Sequence, residues 1–491
     1  MPYRRWFAIM SVIVALALAI LACGGGAAAT ATTAPTNIPR PTATEEPEEE
    51  PTEEPTEEPE EEPTEEPEEE PTQQGIAAGE LSISGSSAYV DDFDYVHIVG
   101  LLFNDTEDSV SFVELTLELV DANGETVLTD FDDAPVDEVT FSPFLWTIGP
   151  GETSPFDYTV YTDDRDPSDW EYTVTVTDFS DGFVERGDLE VINDQIVENE
   201  FGTLYLTGEL VNLNDEPVLV NSLAAALFDD GDNVLAGDAS YNYARYLAPN
   251  GDESGNDRTP FSISLDGPVP DASSYIVYWD ADLTDALDTT AGLSLDLANA
   301  YADDFDDLHV VATVGSEASD LLSIQVVAGL YAEDGTVLDS ATLWVPVYLG
   351  PGDSVPISFD FFSNVNSNPD ELARVSSYSV QFDAYSTYET TFEVVALETA
   401  NEASETASSG RVDFTGDVVN GSGEALSSAI VILALYDTED NLIISNWTSV
   451  YPEGDTIADG DSLPFSLSLY LAADVDTTGW SFRTFVQGYV E

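Results

Sequence analysis

The sequence has very few positively charged residues and very few of the side chains that catalysis commonly needs. Its 491 residues include no lysine, ten arginines, two histidines and one cysteine, whereas Asp and Glu number 97 and set the formal net charge at -87. A surface this acidic repels phosphate backbones, which excludes a nucleic-acid partner. A single cysteine excludes an intramolecular disulfide, so hydrophobic cores must stabilise any folded region.

Sequence motifs of catalysis are also missing. The chain has no Gly-x-Ser-x-Gly nucleophile elbow, no Gly-rich phosphate loop and no metalloprotease motif. Paired carboxylates could hydrolyse sugars in principle, but among so many acidic residues such pairs arise by chance. We therefore predict that the protein is not an enzyme and carries no cofactor.

The N-terminal segment has the pattern of an export signal followed by an anchor. A basic start over residues 1–5 precedes an apolar run from Trp6 to Leu21, which is short for a membrane span and typical of a signal peptide. The run ends in Ala22-Cys23, with small residues on both sides of the cysteine, and resembles the lipobox of bacterial lipoproteins. The resemblance implies that residues 1–22 are a removable signal peptide. It also implies that a lipid on Cys23 anchors the protein to the cell membrane or outer membrane, outside the cytoplasm.

Residues 23–79 are rich in Thr, Pro and Glu and contain no hydrophobic periodicity. Proline fixes φ and blocks helix, and neighbouring glutamates repel one another, so this segment cannot bury a core. We predict a disordered acidic stalk or linker. In polyproline II conformation, at about 3.1 Å per residue, such a stalk would reach on the order of 150 Å.

The remainder of the chain repeats one pattern four times, at intervals of roughly 105 residues. A hydrophobic content of 43% indicates folded domains here. Each repeat has an apolar strand followed by a tight-turn pair, as in Leu435-Tyr436-Asp437 before Asp440-Asn441. The turn pairs of the earlier repeats are Asn123-Gly124, Asp230-Gly231 and Asp334-Gly335. These residue types are typical of β-hairpins.

Three further elements recur in each repeat. An opening strand carries a glycine and in three of the four copies ends in asparagine, as in Gly416 to Asn420, whereas Ala312 replaces the glycine in the third copy. A Pro/Gly turn then leads into Pro-Phe, or into Pro356-Ile357 in the third copy. The last element is an aromatic strand, such as Trp480 to Val486.

About seven short strands in each repeat predict an all-β protein made of four tandem immunoglobulin-like antiparallel β-sandwich domains. We place these domains at residues 80–184, 185–294, 295–399 and 400–491. The stretch from Glu398 to Gly410, rich in Glu, Ala and Ser, is interpreted as an inter-domain linker.

The order of these elements resembles the FxLYD domain of bacterial surface lipoproteins. The name-giving motif matches at Leu435-Tyr436-Asp437 and is varied in the other three copies. The resemblance covers roughly residues 80–491 and implies an extracytoplasmic sandwich, without any catalytic activity that could be carried over.

The two histidines follow matching acidic turns in repeats 1 and 3. His97 comes after Asp91, Asp92 and Asp94, and His309 comes after Asp303, Asp304 and Asp306. Closely spaced carboxylates suit Ca²⁺, but their spacing does not match an EF-hand loop. Two interpretations stay open, a Ca²⁺ site at each turn or a solvated acidic turn, and no residue is assigned as a metal ligand.

The phenylalanine inside each of these turns, Phe93 or Phe305, is predicted to plug a core, and both histidines are predicted to lie on strand faces. The acidic clusters Asp130 to Asp133 and Asp163 to Asp166 are weaker cation candidates. We therefore expect a non-catalytic, lipid-anchored surface protein that uses tandem sandwiches for binding or spacing in the cell envelope, with another envelope or extracellular component as its partner. The alternative is a Ca²⁺-stabilised structural or adhesive surface protein.

Overall fold

The computed structural model describes residues 81–491, apart from 92–94, 130–133, 162–169, 183–185, 200–201, 253–254, 266–271, 286–289, 304, 306, 362–363, 408, 453, 455, 473–476 and 491. Cys23, the predicted signal peptide and the predicted stalk lie outside the described residues. So do Asp92, Phe93, Asp94, Asp304, Asp306 and the two weaker acidic clusters. Within the described ranges no helix has both the length and the apolar character to cross a membrane.

The described part is almost entirely β structure in four successive units, each with two main antiparallel sheets. This confirms the prediction of an all-β protein with tandem immunoglobulin-like sandwiches. In repeat 1 one sheet has the order β1-β2-β6, and the other is built around β3, which pairs with β4, β5 and β7. Its strands are β1 Leu81–Val90, β2 Tyr95–Asn104, β3 Val110–Val120, β4 Val139–Phe141, β5 Thr147–Ile148, β6 Thr153–Tyr161 and β7 Glu171–Asp181.

Repeat 2 has the same arrangement. Its strands are β8 Leu189–Glu198, β9 Leu204–Asn212, β10 Val218–Phe228, β11 Val234–Ser240, β12 Tyr246–Leu247, β13 Arg258–Leu265 and β14 Ser274–Leu283. One sheet is β13-β9-β8, and in the other β10 pairs with β11, β12 and β14. The hairpin from β10 to β11 turns at the predicted Asp-Gly pair.

Repeat 3 adds a short helical segment between two strands. Its strands are β15 Leu293–Ala302, β16 Leu308–Ser316, β17 Leu322–Ser323, β18 Gln325–Tyr331, β19 Val337–Trp344, β20 Asp353–Asp360, β21 Ser377–Phe382 and β22 Tyr388–Glu389. A 3-10 turn over Val365–Ser367 precedes helix α1, Pro369–Leu372. Asn368 caps α1 by accepting from two backbone N–H groups, and proline at the first position favours this start. The sheets are β15-β16-β20 and β19-β18-β21, with β17 and β22 as a separate pair.

Repeat 4 begins earlier than the sequence indicated. Its strands are β23 Val394–Ala396, β24 Glu398–Thr406, β25 Arg411–Val419, β26 Leu426–Tyr436, β27 Leu442–Val450, β28 Ser462–Tyr470 and β29 Ser481–Val490. The sheets are β24-β25-β28 and β23-β29-β26-β27. The interpretation of Glu398 to Gly410 as a linker is therefore wrong. The segment is polar because β24 is an exposed edge strand, which backbone hydrogen bonds to β25 hold without burial of its own side chains.

In repeats 1, 2 and 4, a glycine in the opening strand of the sequence pattern makes room for an aromatic ring on the paired strand. This opening strand is β2, β9 or β25 in the structure, and β1, β8 or β24 precedes it. Gly208 lies opposite Phe261 in the β9–β13 register, and a Cβ at Gly208 would lie 2.8 Å from the ring. Gly100 with Phe156 and Gly416 with Phe465 repeat this pairing. In the third repeat Ala312 lies opposite Ile357, so a larger strand residue faces a smaller partner. The two departures from the sequence pattern in repeat 3 are thus one compensated change.

This pairing predicts the effect of adding one methyl group. We expect Gly208→Ala to destabilise the protein by about 2 kcal/mol, because the new Cβ overpacks against Phe261. Adding Phe261→Ile to that variant should restore most of the loss, since it recreates the pair of repeat 3. Thermal unfolding of the full chain measures both, and equal midpoints for Gly208→Ala and wild type would refute the packing argument.

Candidate functional site

Successive repeats pack through one recurring arrangement. The outer hairpin strand of each later repeat contacts the three-stranded sheet of the repeat before it: β11 on β1, β2 and β6; β19 on β8, β9 and β13; and β27 on β15, β16 and β20. Apolar side chains are buried between them. Val99 packs with Phe228 and Val234 at the first junction, and Val311 packs with Tyr436 and Leu442 at the third. The junctions are therefore part of the folded core.

A polar side chain at an equivalent place in each later repeat binds the backbone of the preceding repeat; we call this contact the clasp. The acceptor oxygen lies in the aromatic strand or directly after it. The donor N–H lies in the previous repeat, in the short segment before the Pro-Phe or Pro-Ile strand, which includes β5 in repeat 1 and β12 in repeat 2; we call it the edge segment. The three clasps are Thr147 N to Asp280 Oδ2 at 3.0 Å, Tyr246 N to Asp383 Oδ1 at 3.2 Å, and Tyr348 N to Gln487 Oε1 at 2.9 Å. Gln487 also donates to the Tyr348 carbonyl at 2.8 Å, which makes the third clasp reciprocal.

The first clasp contains a buried ion pair. Asp280 is fully buried, and Arg186, in the segment that connects repeats 1 and 2, forms an ion pair with it through Nη1. Arg186 also lies 2.6 Å from Glu152 of repeat 1. Burial raises the pKa of Asp280 to about 6, even though the Arg186 charge opposes that shift. Arg186 thus compensates a carboxylate that the fold has removed from water.

Both histidines lie on strand faces, as predicted, and each lies between two carboxylates. His97, on β2, has Nδ1 2.7 Å from Asp157 and Nε2 3.5 Å from Asp91. Its ring stacks on Tyr89 with centroids 4.7 Å apart. His309, on β16, repeats this arrangement with Asp360 at 2.6 Å, Asp303 at 3.4 Å and a stacked tyrosine, Tyr301. The sequence match between the two turns therefore extends to their three-dimensional environment.

The carboxylates favour the protonated imidazole at both places. Burial alone would lower the pKa of His97, but the hydrogen bonds and charges of Asp157 and Asp91 outweigh burial and raise it. The pKa of His309 is raised in the same way, with burial opposed by Asp360 and then by Asp303. Both rings are therefore better proton acceptors in the folded protein than in the unfolded chain.

This shift predicts how stability depends on pH. A raised folded-state pKa contributes stability that is complete below the unfolded value of about 6.5 and is lost as pH rises through the folded pKa. We expect the unfolding midpoint to fall as pH rises above about 6.5. The double variant His97→Gln/His309→Gln should show a flatter profile in thermal unfolding, and parallel profiles would contradict the prediction.

The acidic turn of repeat 3 is organised by its own backbone. Asp303 Oδ1 accepts from the N–H groups of Phe305 and Asp307 at 2.7 and 3.1 Å, and its other oxygen faces His309. In the part of the chain that the structure describes, no group of three or more His, Cys, Asp or Glu side chains is arranged to hold a metal ion. The prediction that Phe305 plugs a core is wrong, because this side chain is 62% exposed. The turn projects it away from its own sandwich, toward Tyr470 of repeat 4.

A cleft of about 400 Å³ lies between repeats 3 and 4 at this turn. Its aromatic walls are Phe305, Trp447 and Tyr470, which all remain at least partly exposed. Phe305 and Tyr470 contact each other with ring centroids 5.7 Å apart. The polar side chains that line the cleft are Tyr301, Asp303, Asp307, His309, Ser358, Asp360, Ser445, Asn446 and Ser468, and the lining contains no arginine.

The sequence located one side of this cleft and missed the other. It singled out Asp303 and His309, whereas Trp447 and Tyr470 gave no signal because aromatic residues are frequent in every repeat. It also missed the clasp, although Asp280, Asp383 and Gln487 occupy equivalent positions. Aligning the aromatic strands would have shown a carbonyl-bearing side chain at each of these positions.

Comparison with known proteins gives little further information. No protein-family model matches this sequence, and no curated protein matches it. A transglutaminase from red sea bream is similar at 14% identity over 37% of this chain and 27% of its own, with a TM-score of 0.15. The Escherichia coli alpha-2-macroglobulin activated by porcine elastase is similar at 10% identity over 82% of this chain and 42% of its own, with a TM-score of 0.11. The chain thus spans less than half the length of either protein, and scores this low support no functional argument.

Proposed function

We propose that this chain is a non-catalytic, lipid-anchored surface protein that presents four β-sandwich repeats for binding or spacing in the bacterial cell envelope. The observation that carries the proposal is the clasp, which recurs at all three junctions together with buried apolar contacts. A contact repeated in this way restrains each repeat against the next. Such restraint suits a protein that holds a binding surface at a set distance.

The lipobox-like sequence at Cys23 and the resemblance to FxLYD domains support a place outside the cytoplasm. The acidic segment over residues 23–79 would then separate the repeats from the membrane. Because the net charge of -87 repels anionic lipid heads, attachment needs a lipid or an apolar helix rather than a basic surface, and the lipobox-like sequence favours the lipid.

Replacing the lipidated residue tests the proposal directly. We expect the full chain to partition with the membrane fraction of a bacterial host, and Cys23→Ser to abolish this partitioning while the folded repeats persist. Fractionation followed by mass spectrometry of the N-terminal peptide measures both retention and lipid mass. Membrane retention of Cys23→Ser, or a mature chain that keeps residues 1–22, would overturn the anchoring proposal.

The alternative function, in which Ca²⁺ stabilises the acidic turns, receives less support from the geometry. The carboxylate oxygens of Asp303 already accept backbone N–H groups and face His309. Asp91 has the same role in repeat 1, where it accepts from the Tyr95 N–H at 2.8 Å and faces His97. Ca²⁺ takes carboxylate oxygens as direct ligands, so it would have to displace these local partners.

A further inference from the structure

We propose that the cleft between repeats 3 and 4 binds a small soluble organic cation that carries an alkylated ammonium group, held between Phe305, Trp447 and Tyr470 and the neighbouring aspartates. This inference rests on the proposed binding function and specifies the ligand class for one of its surfaces.

The junction that forms the cleft has a large residue where the other two junctions have a small one. Trp447 on β27 lies opposite Ile432 in the hairpin register, and the equivalent residues are Ala239 in repeat 2 and Thr342 in repeat 3. Small residues at this place allow the hairpin strand to lie close to the preceding sheet. A tryptophan there occupies the junction and remains 46% exposed, so it forms a wall of the cleft instead of filling it.

Exposed aromatic rings lie close together at this cleft. Phe305 extends from a turn whose aspartate holds the backbone, and it meets Tyr470 at 5.7 Å. An aromatic ring presents a negative face to a cation, and several such rings around one space are suited to alkylated ammonium groups. The rings therefore match a cation that has an apolar surface.

The negative charge of the lining also favours a cationic ligand. Asp303, Asp307 and Asp360 line the cleft without any arginine, and His309, which pairs with Asp303 and Asp360, offsets at most part of their charge. A net charge of -87 raises the local concentration of cations around the whole chain and opposes anionic ligands. A neutral sugar could stack on the same rings, but it would gain nothing from these charges.

Ligand-observed NMR with choline on the full chain in detergent tests the proposal. We expect saturable binding that weakens as ionic strength increases tenfold. The neutral isostere, in which a tert-butyl group replaces trimethylammonium, should bind at least fivefold more weakly. Trp447→Ala and Phe305→Ala should each weaken choline binding at least fivefold. Trp344→Ala should have no effect, because Trp344 has similar exposure, 45%, and lies outside the lining.

Three results would overturn the proposal. These are equal binding of choline and its isostere, unchanged binding in both the Trp447 and Phe305 variants, and binding of maltose without binding of choline. Phe305 lies in an exposed turn, so its variant remains informative even if Trp447→Ala alters the junction. The assay does not depend on the lipid at Cys23, so its failure is distinct from a failure of membrane anchoring.

Discussion

Arg186→Ala should destabilise the protein by about 3 kcal/mol at pH 8, the largest effect that we expect from one substitution at a junction. The variant leaves Asp280 fully buried without the cation that compensates it. The carboxylate keeps one backbone donor, the Thr147 N–H, which is insufficient for a buried charge. Urea unfolding gives the stability change, and amide exchange at Thr147 shows whether the first junction opens.

The size of this effect should depend on pH in a defined direction. Without Arg186 the pKa of Asp280 rises further above about 6, so the folded variant takes up a proton at higher pH than the wild type. The destabilisation should therefore shrink as pH falls from about 8 to about 5. Adding Asp280→Asn to Arg186→Ala should remove the pH dependence of the difference.

An exposed arginine provides the matched control for Arg186. Arg411 pairs with Asp413 at 2.7 Å, but both side chains are substantially exposed. Its replacement by alanine should cost much less than the replacement of Arg186, because water screens such pairs. Equal losses for Arg186→Ala and Arg411→Ala would show that burial at the clasp contributes nothing.

The elements inside one repeat could be predicted because each depends on neighbours close in sequence or on one strand pair. The hairpin turns, including Asp440-Asn441, follow from residue types that tolerate positive φ, and Asp440 has a φ of 71°. The relation between Ala312 and Ile357 was visible in the sequence as two departures from a pattern. Its explanation required the register, which places these residues opposite each other.

The junctions could not be predicted, because alternation along a strand reports which side chains are covered but not what covers them. Val99 and Val311 are fully buried by the following repeat, whereas the equivalent Thr415 in repeat 4 is exposed. This face of β25 is polar, and it also carries Asp413 and Asp417. The polarity of these positions therefore differs between sheet faces that another repeat covers and the face in repeat 4 that is exposed. The difference can be interpreted only when the structure has shown which positions are equivalent.

The asparagine that ends the opening strand gives a second large expected effect. Asn420 is fully buried, and its Nδ2 donates to the carbonyls of Glu424 and Ile457, each at 2.8 Å. Its Oδ1 accepts from the Ser422 N–H at 3.1 Å. Asn104 and Asn212 make the equivalent bonds in repeats 1 and 2. This side chain therefore ties the loop after the opening strand to the edge segment before the Pro-Phe strand.

Asn420→Ala should cost about 3 kcal/mol, because it removes three buried or part-buried hydrogen bonds at about 1 kcal/mol each, although the Ile457 carbonyl keeps the Leu426 N–H as a donor. Asn420→Asp should cost at least as much, since aspartate keeps the acceptor but replaces the donor with a buried charge. Repeat 3 supplies the control, because Ser316 stands at this position and its short side chain accepts from the Ala318 N–H at 3.3 Å through Oγ. Ser316→Ala should cost less than about 1 kcal/mol in urea unfolding. A similar loss for Asn420→Ala and Ser316→Ala would mean that the loops are held by their backbone bonds alone.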